Sequence, residues 1–146
     1  LHDLSKYSPT EFLVGCKYYQ GTRSPNNAER EATGYSTAWL HHKGRNKHHY
    51  EYWIDYSIVP GEGIVGQKMP VKYVYEMFMD RIAACKLYKG AATKDSDPLI
   101  YYNSGKAGDM MHKDTRKLLE KLLHMLAEQG EETVFCYVRR EILKKK

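Results

Sequence analysis

Met69-Pro70-Val71-Lys72-Tyr73-Val74-Tyr75-Glu76-Met77-Phe78-Met79-Asp80-Arg81-Ile82-Ala83-Ala84-Cys85-Lys86-Leu87-Tyr88-Lys89-Gly90 is the stretch that decides the fold. Val71, Val74, Tyr75, Phe78, Ile82 and Cys85 recur at the three- and four-residue intervals of a helix with one apolar face. Pro70 suits a helix start and Gly90 a helix stop. Further along, Leu118, Leu119, Leu122, Leu123 and Leu126 form a second apolar stripe. It predicts an amphipathic helix from His112 to Gln129, stopped by Gly130. The expected fold class is therefore mainly all-α, a compact helical bundle.

Outward from these helices the signals are shorter. In Ser8-Pro9-Thr10-Glu11, Ser8 reads as a cap, Pro9 as a first-turn residue and Glu11 as the far end of a capping box. That helix should run to about Tyr19, with Gly21 behind it. Ser24-Pro25 repeats the start signal and predicts a helix reaching about His42, with Gly44 a stop or an irregularity. Leu1 to Lys6 reads as the end of a helix that begins earlier, so an N-terminal helix is expected to be missing. Trp53 to Gly66, around Pro60-Gly61-Glu62-Gly63, reads as a short hairpin near 54–66 or an ordered loop. Residues 91–110 read as loop around a short segment from Pro98 to Tyr102, and Thr133 to Leu143 suits helix or strand. With no internal repeat and no linker, residues 1–146 are expected to form one domain.

Composition bounds the function. Lys and Arg total 23 against 18 Asp and Glu, within 146 residues that are 42% hydrophobic. This is a globular composition, which excludes disordered and collagen-like classes. Lys144-Lys145-Lys146 carry three of the five surplus charges, and no basic stripe with interleaved aromatics exists. A nucleic-acid partner is therefore not expected. No apolar run reaches the roughly 20 residues of a membrane helix, and there is no signal-peptide pattern. Cys16, Cys85 and Cys136 are an odd number at wide spacing, without a CxxC pair. They read as buried, reduced thiols of a cytoplasmic protein.

The seven histidines carry the chemistry, because His41, His42, His48 and His49 fall within nine residues. His2-Asp3 and the helix-borne pair Glu76 and Asp80 supply further ligand types. Neutral imidazoles and carboxylates bind Zn, Fe, Mn, Ni or Co, and carboxylates also suit Mg. A helix continued past Gly44 would put His42, Asn46 and His49 on one stripe and His41, Arg45 and His48 on the next. A break at Gly44 would undo that arrangement.

Leu1-His2-Asp3-Leu4-Ser5-Lys6 resembles the HDxxK-type segment of the HD-domain superfamily of metal-dependent phosphohydrolases. The 41–49 histidines and Asp80 follow in the superfamily's ligand order. The segments HDLSKYSPTEF, GYSTAWLHHKGRNKHHYEYW and MPVKYVYEMFMDRIAACKLY resemble, more closely, a family of small bacterial and phage proteins known as a domain of unknown function. The resemblance implies an HD-like helical domain with His2 and Asp3 as ligands of a divalent metal ion and Asp80 as the last ligand. It makes His42, His48 and His49 candidates for a second metal or for substrate contact, and the stripe they share with Asn46 favours His42 and His49 as metal ligands. The resemblance also implies Lys6 as a contact to phosphate. Clustering with the histidines makes Arg45 and Lys47 further expected phosphate contacts, and Asp3 and Lys6 are the expected catalytic groups. The implied function is a metal-dependent phosphohydrolase acting on a nucleotide or another small phosphoester. The rival is a non-catalytic HD-like domain that binds metal or nucleotide. The Gly-Tyr-Pro triplet of the HD-GYP branch is absent, so cyclic-dinucleotide phosphodiesterase activity is not implied.

Overall fold

The computed structural model describes residues 3–144. They are mainly helical, with six α-helices and one two-stranded antiparallel hairpin among the described residues. The chain divides into two compact units at Tyr52–Trp53. No helix among the described residues is long and apolar enough to cross a membrane.

The first unit begins with a short 3-10 helix, Leu4–Tyr7. It continues through α1 (Pro9–Tyr18), α2 (Pro25–Thr33) and α3 (Thr37–Lys43). α1 packs against both α2 and α3, and α3 meets the 3-10 helix. The single helix expected from Pro25 to His42 is two helices. Gly34 takes φ 86°, a left-handed conformation open to glycine, and ends α2 with its N–H on Arg30 O. Ser36 then restarts the chain, its hydroxyl accepting from Trp39 N at 2.9 Å. The stretch from Asp3 to Lys6 is likewise not the tail of an α-helix but a tight 3-10 turn.

The second unit opens with the hairpin. β1 (Ile54–Tyr56) pairs antiparallel with β2 (Ile64–Gly66), Asp55 opposite Val65. Then follow α4 (Val71–Lys89), α5 (Asp97–Asn103) and α6 (Lys113–Leu143). α4 packs on α6, and α5 on both. The two stripes read from the sequence form this core: Phe78, Leu119, Leu122 and Leu123 are wholly buried, with Val74 and Leu126 almost so. The ambiguous C-terminal segment is helical. Gly130 (φ 81°, ψ 170°) is non-helical and breaks α6 where a stop was expected, and Val134 and Val138 beyond it are buried on a second helical segment.

The cysteines correct the sequence reading. Cys16 and Cys136 are exposed, Cys85 is half-buried, and all three are free. Cys136 stands midway between the inward-facing Val134 and Val138, and two residues of helix turn it about 200° from either. Leu122→Ala should cost about 2–5 kcal/mol of stability by leaving a cavity in the core. Cys136→Ser should stay within about 0.5 kcal/mol of the parent. Urea unfolding followed by circular dichroism measures both.

A candidate metal centre

Asp3 enters the site through an unusual backbone. It takes φ 62°, the one positive φ at a non-glycine among the described residues. Asp tolerates this region better than most residue types. Its carbonyl accepts from Lys6 N at 2.9 Å, but its carboxylate does not cap the 3-10 helix. Oδ2 instead meets Lys6 Nζ at 2.5 Å. Oδ1 lies 3.4 Å from His42 Nε2 and 3.3 Å from His48 Nε2.

α3 delivers the first histidine, and a buried acid holds its start in place. Glu29, on α2, accepts from Ser36 Oγ at 2.5 Å, Thr37 Oγ1 at 2.6 Å and Thr37 N at 3.1 Å. A carboxylate at a helix N-terminus also complements the helix dipole. Burial alone would raise the Glu29 pKa, but these donors hold it below the ordinary value.

The helix stops at Lys43, and the chain curls back over its end. Arg45 N and Asn46 N both bond to His42 O at 3.1 Å, and His49 N bonds to Asn46 O at 3.1 Å. The turn sets the rings of His48 and His49 beside His42. Ring centroids are 4.7 Å apart for His42 and His49, and 4.2 Å for His48 and His49. Trp39 covers His49 edge-on at 4.8 Å.

Asp3, His42, His48 and His49 each bring one ligand atom to within 4.8 Å of the other three. Asp3, His42 and His48 are 7%, 5% and 2% exposed. The donor set fits a divalent ion. Bonds of roughly 2.0–2.2 Å require ligand atoms about 3.3–3.6 Å apart in a tetrahedron. The Asp3–His42 and Asp3–His48 separations of 3.4 and 3.3 Å already match. His49 Nε2 is buried with no hydrogen-bond partner among the described residues, as a ligand atom awaiting a cation would be.

Electrostatics keeps the donors in their binding forms. Burial, and then the neighbouring His48 and His42, push His49 down to about 3 against a pull upward from Asp3. Burial works to raise Asp3, but Lys6 and the flanking histidines outweigh it and hold the carboxyl at about 2. His49 is thus neutral and Asp3 ionised at neutral pH, the states a metal requires.

Behind the four lies Glu11, buried on α1. Its Oε1 is 2.6 Å from His41 Nδ1 and its Oε2 is 2.8 Å from His42 Nδ1. Burial raises its pKa, but hydrogen bonds from His41, Ser5 and His42 lower it further. The capping-box reading of Glu11 is therefore corrected. Ser8 makes no side-chain cap, and the acid turns inward to the histidines. Asn46 also faces the site, donating to Ser5 Oγ at 2.7 Å and to His42 O at 2.9 Å.

Of the residues expected from sequence, Asp3, His42 and His49 come together. His48 joins them because the chain leaves the helix at Gly44. His2 lies outside the described residues. Asp80 lies on α4, in the second unit. Lys6 pairs with Asp3 and keeps 60% of its side chain exposed. Arg45 is exposed and donates to His41 O at 3.3 Å, and Lys47 sits 5.8 Å over the Tyr52 ring. Glu11 was not expected at the site; Asn46 was expected there on a helical stripe with His42 and His49, and reaches it through the turn after Lys43 instead. Glu11 lies 31 positions from His42 and occupies the third position of a helix, where an acid has a local explanation.

Fold and site together define a mainly helical protein with a buried three-histidine, one-aspartate cluster able to hold a divalent ion. A model of the Family of unknown function (DUF5662) matches residues 1–125, and the chain belongs to that family. No curated protein and no solved structure matches the chain.

The pKa shifts predict acid lability with a definite sign. His49 binds its proton in the unfolded chain below about pH 6.5 but in the folded chain only near 3. The unfolded state therefore holds more protons across that window, and stability falls as pH falls through it. Asp3, depressed from 3.8 to about 2, adds a loss of the same sign between those values. Urea unfolding of metal-free protein at pH 7, 6, 5 and 4 should show steadily declining stability, and His49→Gln should flatten the upper part of that slope.

Proposed function

We propose that the cluster of Asp3, His42, His48 and His49 binds a divalent transition-metal ion, and that the chain is an HD-like phosphohydrolase acting on a nucleotide or another small phosphoester. The observation that carries the metal reading is the convergence of four ligand atoms within 4.8 Å, on three buried residues and the half-buried His49. The HD likeness and the phosphoester rest on the HDxxK-type segment and the ligand order, not on that geometry. All four residues of the cluster lie in the first unit.

When bound, such an ion supplies Lewis acidity for a phosphoryl oxygen and makes a water acidic near neutral pH. The chain's own residues supply the rest. Asp3, held ionised, balances cationic charge and orients a water through its carboxylate. Lys6 brings an ammonium to Asp3 Oδ2 at 2.5 Å while leaving most of its stem in solvent. It is therefore placed to neutralise phosphoryl oxygens at the rim. Arg45 suits a two-pronged phosphate contact and Lys47 a point charge.

One observation favours the second reading, a non-catalytic metal-binding domain. The cluster provides four protein ligands, three of them buried. Structural zinc sites are closed by four such ligands, whereas catalytic ones keep a position open. Six-coordinate Mn, Fe or Co would leave two positions for water and substrate.

Elemental analysis of protein purified without a histidine tag should find roughly one divalent ion per chain. Asp3→Ala and His48→Ala should each remove most of it. A phosphatase and nucleotidase screen with Mn, Fe, Co, Ni, Mg or Zn should then show turnover that is lost in Asp3→Ala and reduced in Lys6→Ala. Bound metal without turnover supports the binding domain, and protein that takes up no metal defeats both readings.

A further inference from the structure

We propose that Glu11 is the positioning residue of the centre: its carboxylate holds His42 and His41 in the Nδ1–H tautomer, so that His42 presents Nε2 to Asp3, His48 and His49. The inference deepens the metal reading and rests on it for its consequence, but the tautomer itself is a property of the metal-free chain.

Hydrogen counting leads there. Three groups approach His42 Nδ1: Glu11 Oε2 at 2.8 Å, Asn46 Nδ2 at 3.1 Å and Ser5 Oγ at 3.2 Å. An Asn amide has two N–H groups. Those of Asn46 go to Ser5 Oγ at 2.7 Å and His42 O at 2.9 Å, so none remains for the ring. Ser5 Oγ is the farthest of the three and, as a hydroxyl, can accept from the ring as well as donate to it. A carboxylate only accepts. The hydrogen between His42 and Glu11 must then belong to Nδ1, and the lone pair of the neutral ring is on Nε2. That atom lies 3.4 Å from Asp3 Oδ1.

The same count applies to His41, whose Nδ1 meets the other oxygen of Glu11 at 2.6 Å. Adjacent residues of a helix point about 100° apart, so one acid can serve both only from a place between them. The packing of α1 against α3 provides that place. Each carboxylate oxygen takes one ring, and His41 remains 18% exposed at the side chain. A carboxylate behind a metal-binding imidazole fixes its orientation and raises its basicity, and its removal commonly costs 10–100-fold in metal affinity.

The test reads both claims. Nitrogen-detected histidine spectra of the metal-free full chain at pH 7.5 should show His42 and His41 as Nδ1–H tautomers. Glu11→Gln keeps the side-chain volume but offers one carbonyl oxygen. Its NH2 group takes the place of one carboxylate oxygen and only donates, so the ring it faces should switch to Nε2–H and accept at Nδ1. Glu11→Ala should lose the uniform His42 tautomer and bind cobalt(II) or zinc(II) about 10–100-fold more weakly. His41→Ala should keep both the His42 tautomer and the affinity to within about threefold. A wild-type His42 found as Nε2–H overturns the proposal. So does Glu11→Gln with both rings still Nδ1–H, or a folded Glu11→Ala that binds metal as tightly as the parent. If wild type takes up neither metal while His42 is Nδ1–H and responds to Glu11→Gln, the metal reading fails and the positioning role of Glu11 stands.

Discussion

Two buried carboxylates and three clustered imidazoles set the constraint to which the first unit answers. An unpaired charge taken out of water is costly, and both acids avoid that state. Glu11 meets His41 Nδ1 with one oxygen and His42 Nδ1 with the other. Asp3 takes Lys6 on one oxygen and faces His42 and His48 with the other. The imidazoles are equally constrained. His49 is kept neutral by burial and by its neighbours, so the cluster has one anionic donor and neutral nitrogen close together. A buried His49 Nε2 beside an ionised carboxylate suits a cation, which is the physical content of the metal reading.

Helix placement follows from the same polar groups. Glu29 pins the start of α3 through Ser36 and Thr37, and Glu11 pins its end through His41 and His42. Buried acids from α2 and α1 thus fix a helix of only seven residues. A helix that short is marginal alone. The second unit is held differently. Phe78, Leu119, Leu122 and Leu123 exclude water without polar support, as ordinary helix packing does.

This difference explains what was legible. α4 and the first part of α6 showed themselves because their burial repeats every 3.6 residues, and local spacing encodes it. Turn residues likewise marked 54–66 as a hairpin or ordered loop and Pro98 to Tyr102 as a short segment, without showing that the latter is a helix. The division at Gly34 was missed because Gly34-Tyr35-Ser36 lies within a longer stretch that also suits a helix. His42 and His49 were selected on a stripe that does not exist; they converge because the chain turns back after Lys43. Glu11 was given a local task by its position, and the structure gives it a distant one.

Taken alone, the sequence determined the mainly helical class, the apolar faces of α4 and α6, and the residue types of a metal site. These are properties of composition and short-range period, which the chain carries before it folds. Only the tertiary structure decided that His48 joins the cluster, that His42 turns Nε2 toward Asp3, and that Glu11 and Asn46 belong behind it. Those outcomes depend on groups 31 and 41 positions apart meeting in a dry interior. There the placement of a single hydrogen on Nδ1 selects which ring nitrogen is left to bind.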